Sequence, residues 1–362
     1  MPPPDSRFSL RRGLLHWLIF FGALVSYAVL IERWLPYPDV PNAGEKIRYL
    51  GLHGNQYDTI FTGSSRVNFQ VLPSIFDEAL AASGRPTKSF NAGLLGLRPP
   101  EQGYFLDEVL KQPRKKLRYV LIELTSLEAR APASRRGSAR FMAWHDAPRM
   151  ALIGTWLRAE WAALAAGFNP TDRHRTHWTD LWEPVAVWFS HFGPFCKNTL
   201  NLGRGAFLGD RWIIAPGERA KQLNKFRALG EKRDGWLPYD GARETMNDAE
   251  RAAYLESYEA RLTTPAVHFN DPASDAAIEA MRQAVLKAGA TPIFFVPPMT
   301  SDRHYLPPPD LEQHMIIWNF SDPHRYPQLF LPEHRLDYIH MNTAGGQVFT
   351  RALAERFAEL PH

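Results

Sequence analysis

Short apolar runs and amphipathic segments alternate near both ends of the chain. Runs of strand length occur at Tyr57–Thr62, Leu117–Leu124 and Thr291–Pro298, and a shorter one opens the segment Thr87–Leu97. Apolar residues at helical spacing mark four further segments: Leu72–Gly84, Pro100–Gln112, Asp275–Ala290 and Thr343–Leu360. Continuous apolar runs are typical of strands buried on both faces of a parallel sheet. The alternation therefore predicts an α/β fold built on one doubly wound parallel sheet.

The middle of the chain, residues 129–272, breaks this pattern. Its apolar stretches are Met150–Phe168, which predicts a helix, and Asp180–Leu200. We interpret it as a large, mostly helical insertion between two halves of the core, residues 57–128 and 273–362. Its apolar residues either pack on the sheet as a second core, or form a surface that docks on a membrane or a membrane-embedded partner. Large exposed apolar patches usually mark contacts of the second kind.

The amino-terminal segment carries the longest apolar run. Residues Gly13 to Ile31 form 19 uncharged positions, preceded by Arg11 and Arg12. A helix needs about 20 such residues to cross a bilayer, and flanking basic residues favour the cytoplasmic side. We expect a cytoplasmic tail (1–12), a transmembrane anchor (13–31) that crosses the cytoplasmic (inner) membrane, and a linker (32–56). The remaining chain is expected to be periplasmic or extracellular. A cleaved signal peptide, cut near Ser26-Tyr27-Ala28, is the alternative.

Composition narrows the classes of function. The net charge is only +4, and no basic stripe interleaved with aromatic residues is present, so nucleic acid is not an expected partner. The single cysteine, Cys196, allows no internal disulfide and no thiolate metal site. The histidines His174, His177 and His191 do not have the spacing of a tetrahedral site. We therefore expect no metal and no cofactor.

Residues that carry chemistry follow the predicted strands. In an open parallel sheet, ligands bind outside the carboxyl ends of the strands. The loops there are Gly63–Arg66, Asn91–Leu97, Thr125–Glu128 and Pro297–Arg303, and Arg335–Asn342 precedes the last helix. A serine nucleophile needs a base, and the base needs an acid that orients it; Ser65, His340 and Asp337 are the candidates. Taken alone, the segment Gly63–Arg66 also fits a plain turn. The presence of the Asp-x-x-His pair favours the interpretation of Ser65 as a nucleophile.

These segments resemble the conserved blocks of the SGNH/GDSL hydrolase superfamily. Gly63-Ser64-Ser65 resembles the Gly-Asp-Ser block, the segment Asn91 to Gly96 resembles the Asn-x-x-x-x-Gly block, and Asp337 to His340 resembles the Asp-x-x-His block. The resemblance covers about residues 58–128 and 276–357. It implies a flavodoxin-like sheet, a Ser65–His340–Asp337 triad, and an oxyanion site that uses the backbone N–H groups of Ser65 and Gly96.

One block departs from the family pattern. Ile122–Glu128 aligns with the third block, and the family's oxyanion asparagine falls on Leu127, whose side chain has no donor. Loss of one oxyanion donor typically costs about 100- to 1,000-fold in rate. Asn68, Asn91 and Ser126 are candidate substitutes for this donor.

Three residues are possible substrate-binding groups: Arg66, Asn68 and His145. Beside a nucleophile, Arg66 can hold an anionic acyl carrier or a glycan phosphate; the alternative is a structural ion pair. His145 either lines the site or is a satisfied core histidine. Glu123, on a buried strand, is expected to cap or pair rather than to catalyse.

The chain resembles a membrane-anchored branch of this superfamily in three features: the Gly-Ser-Ser form, the amino-terminal helix and the large insertion. That branch includes the D-alanyl transfer protein of teichoic-acid modification and the alginate O-acetylation proteins. The resemblance implies an O-acyltransferase that acts on an envelope or secreted glycan beside a membrane-bound O-acyltransferase. An esterase of the same fold remains an alternative. A non-catalytic glycan-binding or scaffold partner with a vestigial site is another, and Leu127 favours it.

Overall fold

The computed structural model describes residues 6–34, 40, 42–130, 138–167, 178–201, 229–239, 245–263, 271–300 and 307–361. For residues 6–10, 178 and 179 it describes the backbone alone. The candidate residues His174 and His177, and part of the loop Pro297–Arg303, lie outside these ranges.

A parallel sheet forms the centre of the described chain. Its five strands are β1 (Thr59–Thr62), β2 (Ser89–Asn91), β3 (Tyr119–Glu123), β4 (Thr291–Val296) and β5 (Ile316–Asn319). All pair in parallel in the order β2-β1-β3-β4-β5. The chain thus runs from β1 to β2 on one side and returns to β3 on the other. The predicted α/β class and parallel sheet are confirmed, whereas β5 was not predicted.

Helices cover both faces of the sheet. Their bounds are α1 Ser6–Trp34, α2 Ala43–His53, α3 Ser65–Gln70, α4 Pro73–Ala82, α5 Glu101–Leu110, α6 Ala139–Ala143, α7 Ala147–Gly167, α8 Trp178–Thr199, α9 Asp248–Thr263, α10 Pro272–Lys287, α11 Pro309–Glu312 and α12 Thr343–Ala358. Strand residues alternate between two cores because successive side chains point to opposite faces. On β3, Val120 and Ile122 join the core with α5 and α10, whereas Leu121 joins the core with α3, α4 and α12.

The amino-terminal helix α1 is long and apolar enough to cross a membrane. Its candidate span is Arg11–Trp34, 24 residues, and an 18-residue window within it has a mean hydropathy of 2.2 and is 6% buried by the protein. This is the candidate span among the described residues. The result supports the predicted apolar anchor segment; the side of the membrane and the membrane type stay predictions.

The predicted linker, residues 32–56, differs from expectation. It contains helix α2, which buries Ala43, Lys46, Ile47 and Leu50. The apolar residues of α2 stand at positions i, i+4 and i+7, which is the spacing of one helix face. A simple spacer is therefore wrong for Ala43–His53, and this segment is part of the folded core.

The described part of the insertion is mostly helical, as predicted, although residues 229–239 contain no helix. Ile153 and Trp156 of α7 are buried in the core that contains α10. Val187 and Trp188 of α8 pack against the same core. The insertion therefore extends one layer of the core, and the outer face of α8 stays exposed.

Candidate active site

The turn between β1 and α3 is closely packed. A side chain at Gly63 could not fit, because a Cβ there would lie 2.4 Å from Glu123 Oε2 and 2.4 Å from Val67 Cγ2. Helix α3 begins at Ser65, with Ser64 as its N-cap; the Ser64 hydroxyl accepts a hydrogen bond from the Arg66 N–H at 3.3 Å. Capping of this kind satisfies a free N–H of the first turn. Ser65 is therefore presented at the carboxyl edge of the sheet.

A buried ion pair supports this turn. Glu123, at the end of β3, is fully buried and lies 2.6 Å from Arg66 Nη2. Its carboxylate also accepts hydrogen bonds from the Ser64 hydroxyl, at 3.0 Å, and from the Ser64 N–H. The expectation that Glu123 pairs is confirmed. Arg66 is 7% exposed and also contacts Met299 Sδ, so its guanidinium is committed to a structural pair and not to substrate.

The structure brings Ser65, His340 and Asp337 together. Ser65 Oγ lies 2.8 Å from His340 Nε2, and His340 Nδ1 lies 2.9 Å from Asp337 Oδ2. An Nδ1–H that donates to Asp337 leaves Nε2 free to accept the Ser65 hydroxyl proton. The side chains of His340 and Asp337 are 18% and 31% exposed, so solvent reaches the pair. The geometry is that of a nucleophile, a base and an orienting acid.

Backbone contacts fix the loop that carries the acid and the base. Asp337 Oδ1 accepts hydrogen bonds from the N–H groups of Ile339, at 2.6 Å, and His340, at 2.7 Å. Burial raises the pKa of Asp337, but the hydrogen bonds and charge of His340 and the N–H of Ile339 outweigh this effect and lower the pKa overall. Asp337 is therefore held as a carboxylate beside the imidazole.

The buried side chain of Arg335 anchors the same loop. It is fully buried, and its guanidinium donates to the carbonyls of Leu329, at 3.0 Å, and Pro298, at 3.3 Å. It also lies over the rings of Tyr254 and Phe330, at 5.6 and 5.3 Å. Sequence patterns did not indicate this residue, because its partners are distant in the chain or are backbone atoms.

The loop after β2 lies against the end of β1. The N–H of Leu94 donates to the carbonyl of Gly63 at 2.9 Å, and Gly96 has a φ of 62°, in the left-handed region. The Asn91 amide donates to the carbonyls of Val67 and Val71, both at 2.7 Å. Both donors of Asn91 are therefore used to hold α3, and this corrects the prediction that its side chain serves an oxyanion.

Asn68 and Leu127 differ in the side-chain donors that they could offer to an oxyanion. Leu127 is in the hydrophobic core, and its N–H donates to Ser274 Oγ at 2.7 Å. Asn68 is 1% exposed; its Oδ1 accepts from Lys46, and its Nδ2 has no hydrogen-bond partner among the described residues. Of the two candidate asparagines, only Asn68 thus retains a donor, and it lies one helical turn after Ser65.

Lys46 of α2 connects the loops around the site. Its Nζ is fully buried and lies within 3.0 Å of four oxygens: Asn68 Oδ1 and the carbonyls of Asn91, Gly93 and Gly235. Burial lowers the pKa of Lys46 to about 7, against the opposing charges of Asp234 and Glu45. Sequence analysis placed Lys46 in a linker; the helical spacing of Ala43, Ile47 and Leu50 is the signal that could have found its helix.

A segment of the insertion, residues 229–239, forms one wall of the site. Trp236 Nε1 donates to the carbonyl of Phe69 at 2.9 Å. The ring of Tyr239 lies 5.1 Å from the ring of Phe69 and 5.8 Å from that of His340. Tyr239 is 41% exposed, so the insertion places an accessible aromatic ring beside the base.

His145 lies in the core of the insertion and not in the site. Its Nδ1 contacts the carbonyl of Phe141 at 2.6 Å, and its Nε2 lies 2.9 Å from His191 Nδ1. Trp144 stacks on the imidazole at 3.7 Å. Burial, with a smaller contribution from the charge of His191, lowers the pKa of His145 to about 3. The proposed substrate-binding role is corrected: His145 is a satisfied core histidine.

The depressed pKa of His145 predicts acid sensitivity. An unfolded histidine titrates near pH 6.5, so below that pH the unfolded state binds a proton that the folded state excludes. We expect this group to remove about 1.4 kcal/mol of stability per pH unit between pH 6.5 and pH 3. Denaturant unfolding at pH 7, 6 and 5 checks this by comparing wild type with His145→Phe, whose stability should fall less steeply. Parallel pH profiles for the two proteins would contradict it.

No protein-family model matches the chain, and no curated protein sequence matches it. The class of the protein is therefore defined by its own geometry: a parallel α/β sheet with a serine, a histidine and an aspartate in contact at its carboxyl edge.

Proposed function

We propose that the protein is a membrane-tethered, SGNH-like serine O-acyltransferase that modifies an envelope or secreted glycan. The observation that carries this proposal is the hydrogen-bonded series Ser65–His340–Asp337, with distances of 2.8 and 2.9 Å. Ser65 lies 272 positions before Asp337 in the chain, and the fold brings it into contact with the local Asp337–His340 pair.

The fold supports the proposal in two ways. The strand order 2-1-3-4-5 is the order of flavodoxin-like sheets, in which the ligand crevice lies at the point where the strand order reverses. Here that point is the carboxyl end of β1, and Ser65 follows it. The apolar helix α1 supplies the tether.

The proposed reaction has two steps. His340 Nε2 takes the Ser65 hydroxyl proton while Oγ attacks the acyl carbonyl; the proton then passes to the leaving group as the donor bond breaks, and an acyl-serine remains. A glycan hydroxyl next gives its proton to His340, attacks the acyl-serine and carries the acyl group away, and Ser65 regains its proton. Asp337 stabilises the imidazolium in both steps.

Oxyanion stabilisation uses backbone donors in this proposal. The Ser65 N–H at the start of α3 and the Gly96 N–H are the assigned donors, and Asn68 Nδ2, which has no hydrogen-bond partner among the described residues, is a further candidate donor. Because Leu127 replaces a third donor, we expect slower turnover than a complete site gives, by about 100- to 1,000-fold.

Asp337→Asn is expected to lower kcat by about 10⁴-fold, because an amide no longer holds the reactive tautomer of His340. Ester hydrolysis by the full-length protein in detergent measures this, with p-nitrophenyl acetate as the substrate. Asp322→Asn is the matched control, since Asp322 belongs to a nearby turn and accepts from the N–H of His324. Equal losses in the two variants would show that Asp337 acts only on folding.

Transfer and hydrolysis are separated by following the acyl-enzyme. Full-length protein treated with p-nitrophenyl acetate is expected to gain one acetyl mass at Ser65 and to lose it faster when polysaccharide is added, with acetyl ester appearing on the polysaccharide. Loss to water at a rate that added polysaccharide does not change would favour the esterase. The membrane-bound O-acyltransferase partner is proposed as the source of the acyl group in the cell.

A further inference from the structure

Helix α8 presents an exposed aromatic face. Trp182, Phe189 and Phe192 are 68%, 62% and 47% exposed. At 100° per residue these three side chains lie within about 80° of one another around the helix. Ala186 and Gly193, which are also exposed, lie on the same face. The opposite face carries the buried His191 and Asn198.

Few charges interrupt this face. Glu183 stands at its edge, and its carboxylate is paired with Arg130 at 2.8 Å. Lys197 is exposed at the carboxyl-terminal end of the helix. Aromatic residues flanked by a basic residue are typical of helices that lie in the membrane–water interface.

The carboxyl-terminal end of α8 meets the amino-terminal helix. Asn201 is 2% exposed, and its amide donates to the carbonyl of Ala28 and to Glu32 Oε2, both at 3.1 Å. Ala28 lies three residues before Ile31, where the uncharged run ends. Asn201 is therefore fixed within about one helical turn, roughly 5 Å, of the end of the apolar span. This contact gives α8 a defined depth relative to the bilayer that α1 can cross.

We propose that the exposed face of α8, formed by Trp182, Ala186, Phe189, Phe192 and Gly193, lies in the interface of the bilayer that holds α1. The occupant of the face is lipid. This inference depends on α1 spanning the membrane and is independent of the chemistry at Ser65. It gives the protein a second, in-plane contact with the membrane, so that α8 limits the tilt of the domain on its anchor.

Spin-label accessibility tests this proposal on the full-length protein in lipid vesicles. In a Cys196→Ala background, a nitroxide is attached at a single cysteine in place of Trp182, Phe189 or Phe192. Leu255→Cys and Leu286→Cys are the controls, since these leucines are 37% and 43% exposed on α9 and α10. A label at Leu18→Cys reports the span itself. Collisions with oxygen report lipid, and collisions with a water-soluble nickel chelate report solvent.

The expected result is oxygen-dominated relaxation at all three α8 positions, at a depth of about 5–10 Å below the lipid headgroups, with nickel-dominated relaxation at both controls. If the Leu18 label reports lipid but nickel accessibility at the α8 positions equals that of the controls, the proposal is overturned. Protection from both reagents would also overturn it, because it would assign the face to another protein or a second copy. A water-exposed Leu18 label would refute the span on which the proposal depends.

Discussion

Replacing Ser65 with alanine is expected to lower turnover of p-nitrophenyl acetate by about a million-fold, which leaves only the enhancement that the oxyanion donors and substrate binding still give. Ser65 Oγ is the atom that His340 Nε2 contacts at 2.8 Å, and alanine has no group that can take its place. The full-length protein in detergent is the material for this assay. Its stability should change little, because Ser65 is only half-buried and its side chain supports no core contact.

Ser64→Ala is the matched control for this variant. Ser64 is the adjacent hydroxyl, and it caps α3 and donates to Glu123 rather than facing the base. Its loss should cost about 1 kcal/mol of stability and leave most of the activity. If Ser65→Ala keeps activity within tenfold of wild type, or if both variants lose it equally, the proposed nucleophile is wrong.

Lys46→Met is expected to destabilise the folded protein by about 3 kcal/mol or more. Methionine matches the length of lysine but has no donor, so the four oxygens that share the three N–H donors of Nζ lose this buried partner. They belong to α3, to the end of β2 and the loop that follows it, and to the insertion segment 229–239. Esterase activity should fall as well, because the loop that carries Gly96 loses its anchor.

Urea unfolding of the full-length protein, followed by a signal from the domain that carries the sheet, measures this effect. Lys111→Met is the control; Lys111 Nζ pairs with Glu108 and its side chain is 66% exposed, so the change should be within about 1 kcal/mol. A Lys46→Met protein with the unfolding midpoint of wild type would show that the contacts of Lys46 contribute no net stability.

The parts of the fold that sequence analysis predicted are those with a local pattern. Strands β3 and β4 are nearly all apolar, and β1 is buried throughout, because both faces of these strands are covered. The amphipathic helices α4, α5, α10 and α12 keep helical spacing. Strand β5 was missed because it has only four residues at the sheet edge, most of them half-buried. Helix α3 was missed because its six residues begin in what the sequence presents as a turn.

In the candidate site, too, the residues that could be predicted are those with a local sequence pattern. Ser65, Asp337 and His340 could be selected because each follows a predicted strand or precedes a predicted helix, and parallel strands bring such loops to one edge. A pairing role for Glu123 was expected, but its partner Arg66 and the contacts of Lys46 could not be predicted. These contacts join residues that are far apart in the chain, and no periodicity marks a buried charge whose partners are backbone carbonyls or a single carboxylate.

Labelling with a fluorophosphonate tests the central claim most directly, because this reagent reacts with a serine only where a base has activated it. The full-length protein, Ser65→Ala and Ser64→Ala are treated in parallel, and the modified peptide is identified by mass spectrometry. The account predicts one adduct, on Ser65, in wild type and in Ser64→Ala, and none in Ser65→Ala. Wild type that labels no better than Ser65→Ala would contradict it, and would favour a scaffold whose serine, histidine and aspartate no longer catalyse.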